Sequence, residues 1–149
     1  MGQRFPSISD RHRVFIEAQR IFFVASAAPE GRINVSPKGM GTFRVLGPNE
    51  VAYLDCTGSG SETRAHLVAS EDKRLTVMFC AFEGSPLILR LYGQGQSCMR
   101  GTPEYGALLR HFDEIPGARG SQCRCPCNRG TPPRPSRARA ASPCPSARR

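Results

Sequence analysis

Along most of the chain, short apolar runs alternate with turn residues. IFFVASAA (21–28) is rich in β-formers and closes on PEGR, a turn signal. In RINVSPK that follows, Ile33 and Val35 alternate with polar positions, so the two runs read as a hairpin. TFRVLG (42–47) predicts a third strand, and GPNE turns it into VAYLDC (51–56), a fourth. Phe43 and Val45, then Val51, Tyr53 and Asp55, have the period-2 spacing of a half-buried sheet. RLTVMFCAF (74–82) is nearly continuous in apolar residues, as expected of a strand covered on both faces. EGSP turns it into LILRLYGQGQ, the sixth strand.

Three segments break this rhythm and read as helices. In SISDRHRVFIEAQR (7–20), Ser7 with Asp10 three residues on spells a capping box, and Val14, Phe15 and Ala18 form a short apolar face. His12 reads as an exposed helix residue. ETRAHLVAS (62–70) predicts about two turns. Thr102 caps PEYGALLRHF, with Pro103 at the first helical position. Six antiparallel strands, short turns and a few helices make a mainly β chain, a small barrel.

Composition splits the chain. Its 149 residues carry 21 Lys and Arg against 12 Asp and Glu, a net charge of +9. Eight of those Arg fall in residues 117–149, where there is no acid, leaving 13 basic residues against 12 acidic ones in residues 1–116. The body is nearly neutral and the basicity belongs to the tail. Beyond Ile115 there is no large apolar side chain, so 117–149 is expected to stay disordered and 1–116 to form the domain. The tail's Cys123, Cys125 and Cys127 are too tightly spaced for a zinc knuckle. Seven cysteines, an odd number, argue against a disulfide framework, and Cys56 and Cys80 read as small buried hydrophobes. The first residues lack the apolar core of a secretory signal, Pro6 spoils a myristoylation match, and no run is long enough to span a membrane. The expected location is cytoplasmic.

INVSPKG brings a hydroxyl, Ser36, and an ammonium, Lys38, to a strand end. TGSGSET also ends a strand and opens a helix, with hydroxyls at Thr57, Ser59, Ser61 and Thr63 between Gly58 and Gly60. Glycines let a ligand approach the backbone, and a helix N-terminus favours an anion. Brought together, the two loops would hold a phosphate. Residue chemistry alone leaves a second reading open, a solvated connector and a surface lysine. The spacing is not that of a P-loop, and Ser59 and Ser61 lack the spacing of a hydrolase nucleophile elbow.

Three blocks in order, FIEAQRIFFVASAAPEGRINVSPKG, VAYLDCTGSGSETRAHL and RLTVMFCAFEGSPLILRLYGQGQ, resemble the pyridoxamine 5'-phosphate oxidase-related family over residues 10–119. The resemblance implies an FMN-binding split β-barrel, a homodimer with FMN at the subunit interface, and a flavin-dependent oxidoreductase of unknown small-molecule substrate. The electron partner would be a nicotinamide nucleotide or oxygen. The resemblance places Lys38, with Ser36 beside it, on the FMN phosphate. A family Ser-Arg-Lys stretch falls on Ser61, Glu62 and Thr63, keeping the serine and losing both basic residues; Glu62 should point away. The implied FMN ligands are Ser36, Lys38, Thr57, Ser59, Ser61 and Thr63, with no metal. After IPGAR the composition departs from the family, which implies a barrel incomplete at its C-terminus. The alternative reading is a non-catalytic dimeric module whose basic tail contacts an acidic partner such as nucleic acid. Without aromatic residues in the tail, such binding would be weak and salt-sensitive.

Overall fold

A computed structural model describes residues 3–55 and 61–112, and the backbone of 121–126. Two four-stranded antiparallel sheets face each other. In the first, β1 (Ile21–Ala27) pairs with β2 (Ile33–Gly39) on one side and β5 (Arg74–Cys80) on the other, and β6 (Ile88–Gln94) flanks β5. In the second the order is β3 (Phe43–Gly47), β4 (Glu50–Asp55), β8 (Ser121–Pro126) and β7 (Gln96–Cys98). No strand pairing among the described residues joins the two sheets, so the barrel is split. Helices α1 (Asp10–Ala18), α2 (Glu62–Ala69) and α3 (Pro103–Leu109) complete the fold. None is long and apolar enough to cross a membrane.

The hairpins form where turn chemistry put them. Gly31, at φ 96°, turns β1 into β2 with Ala25 opposite Val35. The Thr102 hydroxyl accepts the Tyr105 N–H at 3.2 Å and Pro103 opens α3, as expected, although the helix ends at Leu109. The start of α1 differs from the expected one. Ser9, not Ser7, is the N-cap, and His12 reciprocates by accepting the Ser9 N–H through Nδ1 at 3.2 Å. The Ile8 N–H donates to the Pro48 carbonyl at 2.7 Å, which holds the chain extended two residues longer. The buried position of α1 is Ile16, whereas Val14 and Ala18 face outward.

The barrel core gathers Phe22, Val24, Tyr53, Leu67, Val77 and Phe79, with the Phe22 ring 5.0 Å from Phe43 and 5.8 Å from Tyr53. Burial along β4 and β5 reverses the sequence expectation. β5 buries only alternate residues (Leu75, Val77, Phe79), leaving Thr76, Met78 and Cys80 half-exposed. β4 is covered on both faces. Val51 and Tyr53 enter the barrel core, while Ala52 and Leu54 join Cys98, Tyr105, Leu108 and Phe112 in a second core under α3. Cys80 is therefore half-buried rather than buried, and Cys56 lies outside the described residues.

The expectation of a disordered tail from 117 needs correction at 121–126. This stretch forms β8, pairing with β4 (Val51 opposite Cys125) and with β7 (Ser97 opposite Cys123). Backbone N–H and C=O groups make a ladder regardless of side-chain size, so a run without large apolar residues can still fill the gap between two strands. β8 lies between β4 and β7 within the second sheet, and no pairing among the described residues closes the two sheets into one barrel. The remainder of 117–149 lies outside the described residues. Gly95 lets the chain pass from β6 to β7. A Cβ there would lie 2.3 Å from Leu75 Cδ2 and 2.8 Å from each δ-methyl of Leu67.

Candidate functional site

The alternation of β2 puts Asn34, Ser36 and Lys38 on its inner, half-buried face and Ile33, Val35 and Pro37 outside. The inner row lies opposite Ser26, Val24 and Phe22 of β1. At ~3.3 Å rise per residue these polar groups are spaced about 6.6 Å apart along one edge strand. Lys38 leads to the second sheet, where its Nζ donates to Asp55 Oδ1 at 2.5 Å. The two side chains are 14% and 8% exposed. Asp55 ends β4 on the same face as Val51 and Tyr53, so this ion pair bridges the open side between the sheets.

The other end of the β4–α2 connection returns to the same strand. Asn34 Nδ2 donates to Thr63 Oγ1 at 3.2 Å, and the Ser36 hydroxyl donates to Asn34 Oδ1 at 3.1 Å. Thr63 is fully buried in the first turn of α2. One turn later, His66 Nδ1 lies 3.1 Å from the Ser26 hydroxyl, itself 4% exposed. Thus α2 is tied to β2 through Thr63 and to β1 through His66. Ser61, the N-cap, is exposed and makes no side-chain cap bond, and Glu62 is exposed beside it. Among the described residues no N-cap side chain takes up the first backbone N–H groups of α2.

Of the residues singled out from sequence, Ser36 and Lys38 share the inner face of β2, Thr63 joins that face through Asn34, and Ser61 is the exposed N-cap two residues before Thr63. Thr57 and Ser59 lie outside the described residues. Thr63 is a buried strut; its hydroxyl is engaged by Asn34. Sequence reasoning missed Asn34, Asp55, Ser26 and His66. The period-2 pattern that selects Ser36 and Lys38 also selects Asn34. Asp55 carried its own signal, an acid closing the apolar run VAYL.

A family model described as pyridoxamine 5'-phosphate oxidase matches residues 8–135. The pyridoxamine 5'-phosphate oxidase family protein ustO of Aspergillus flavus is 45% identical over 111 residues, 72% of this chain and 44% of that protein. This chain thus spans less than half the length of that relative. Among solved structures, HupZ of Group A Streptococcus superposes with a TM-score of 0.61 at 18% identity, covering 81% of this chain and 90% of that one. A FAD-binding protein of Mesorhizobium loti superposes at 0.55 and 12% identity, covering 82% and 91%. At such identities these two speak for the shared fold alone. The split barrel and the match across 8–135 together establish that the chain belongs to the pyridoxamine 5'-phosphate oxidase family.

Proposed function

We propose that this chain binds flavin mononucleotide and works, as a homodimer, as an FMN-dependent oxidoreductase on a small molecule. The observation that carries the reading is that β2 meets both ends of the β4–α2 connection, through Lys38–Asp55 and Asn34–Thr63. An ammonium, a row of hydroxyls and a helix N-terminus form a donor set suited to a phosphate dianion. Lys38 would anchor the phosphate and Ser36 would donate beside it. Thr57, Ser59 and Ser61 would add hydroxyls from the sequence between β4 and α2, and Thr63 is held in the first turn of α2 by Asn34. Membership of the pyridoxamine 5'-phosphate oxidase family favours a flavin. The resemblance of the chain's three sequence blocks to the family points to FMN as that flavin.

Bound flavin supplies the capacity to accept and donate a hydride or electrons. The chain's own part is to hold the phosphate, orient the ring and exclude water. No side-chain nucleophile is required. The outer face of the first sheet supports the dimer. Ile33 and Val35 on β2 and Ile88 and Tyr92 on β6 are 56–75% exposed. β5, whose sequence reads as covered on both faces, presents Met78 between them. A second copy of the chain would cover this face.

The test is an absorbance titration of the purified chain with FMN, beside Lys38→Ala. The wild type is expected to take up the flavin. The variant should bind it about 10- to 150-fold more weakly, the loss of one charge-assisted hydrogen bond worth ~1.5–3 kcal/mol. A chain that takes up no FMN refutes the reading, and unchanged affinity in the variant removes Lys38 as the anchor. Oxidation of reduced nicotinamide nucleotide by the loaded dimer separates an enzyme from a flavin carrier.

A further inference from the structure

Lys38 already has an anion. Its ammonium is held by Asp55 in a pair that is mostly buried on both sides, and the pair spans the two sheets. Any phosphate that uses Lys38 must either displace this carboxylate or share the ammonium with it. Glu62, at the first turn of α2, adds a second negative charge to the rim. Neither acid suits a site built only to attract anions.

Resting on the reading of Lys38 as the phosphate anchor, we propose that Asp55 is a displaceable counter-ion that sets which anions the site accepts. A ligand carboxylate brings one charge, no more than Asp55 itself, and gains little by exchange. A phosphate monoester near neutral pH brings closer to two charges and three acceptor oxygens, enough to draw the ammonium from a singly charged partner. Meanwhile Asp55 keeps Lys38 from standing as a buried, unpaired cation in the ligand-free chain, a strongly unfavourable state. Displacing Asp55 costs every anion alike and so sets a threshold: a phosphate dianion has enough to gain from the ammonium to cross it, and a singly charged anion does not.

Asp55→Asn tests this, because it keeps the volume and an acceptor oxygen and removes only the charge. Inorganic phosphate and acetate are titrated by thermal shift, and FMN by flavin fluorescence, with wild type, Asp55→Asn and Lys38→Met/Asp55→Asn. Asp55→Asn is expected to bind phosphate and FMN about tenfold more tightly or better, the scale of one partly buried charge interaction, and to bind acetate detectably. The double variant should lose the gain. Equal or weaker phosphate binding by Asp55→Asn overturns the proposal and makes Asp55 a support that positions Lys38. If phosphate tightens through Lys38 while no variant takes up FMN, the flavin reading fails and the counter-ion stands. If FMN binds the wild type and Asp55→Asn binds it no better, the reverse holds. Should Asp55→Asn not fold, the side-chain carboxylate carbon resonance of Asp55 in the wild type gives the answer. It should move as phosphate or FMN is added, and a resonance that stays fixed overturns the exchange.

Discussion

Replacing Gly95 by alanine puts the packing of the barrel to a quantitative test. The added Cβ would lie 2.3 Å from Leu75 Cδ2 and 2.8 Å from both δ-methyls of Leu67, where ordinary contact begins at 3.4 Å. The Leu75 methyl must retreat by about 1 Å, and both leucines are only 3% exposed, so they retreat into a filled core. Overpacking of this kind costs ~1–3 kcal/mol, which at this size lowers Tm by roughly 2–12 °C. Gly106 is the control. It lies on the exposed side of α3, has no positive φ, and a Cβ there meets nothing within 4 Å. Gly106→Ala should therefore stabilise, by about 0.5–1 kcal/mol of helix propensity. Urea unfolding of both variants decides the matter. In a double-mutant cycle, Leu75→Ala should cost less in the Gly95→Ala background than alone, because it makes the missing room. A Gly95→Ala protein as stable as wild type, or additive costs in the cycle, would refute the account. The displaced Leu67 belongs to α2, so the variant should also loosen Thr63 and His66.

Two further expectations follow from the polar contacts. Thr63→Val keeps the shape of a fully buried residue but strands the Asn34 amide, and should cost ~1–3 kcal/mol in chemical denaturation; a loss under a few tenths would mean that Asn34 finds another partner. The Ser70 hydroxyl donates to Asp72 Oδ1 at 2.6 Å and, ahead of the neighbouring Arg74, holds that carboxyl below its ordinary value. A depressed carboxylate contributes stability in full above its unfolded value of about 3.9 and loses it as acid protonates the folded form. Ser70→Ala should therefore raise the Asp72 titration midpoint followed by NMR, and a midpoint that stays put would assign the shift to Arg74 alone.

Much of this architecture is legible in residue order, and the exceptions have physical causes. Gly31 and the Thr102-Pro103 pair announce their turn and cap because one or two residues decide those conformations. The start of α1 is different: Ser7 and Asp10 spell a cap, but the remote Pro48 carbonyl takes the Ile8 N–H. Burial of β4 on both faces is hidden too. Its Ala52 and Leu54 meet α3, which lies some fifty residues later, and no local pattern reports that encounter. β8 has no large apolar residue to reveal it; what it supplies is a backbone between two strands already in place. At the site, Ser36 and Lys38 stand out by type and position. The partner that neutralises Lys38 comes from another sheet and is visible only once the barrel is folded.

Because β4 is the shared wall of two apolar compartments, it cannot be released until both come apart. Its amide hydrogens at Val51, Ala52, Tyr53 and Leu54 should exchange with solvent only through global opening, while those of the edge strand β2 exchange through local fluctuation. The carboxylate of Asp55 would then be fixed to the slowest-exchanging part of the molecule and the ammonium of Lys38 to one of the fastest. In any motion that opens the split between the sheets, it is the lysine that travels.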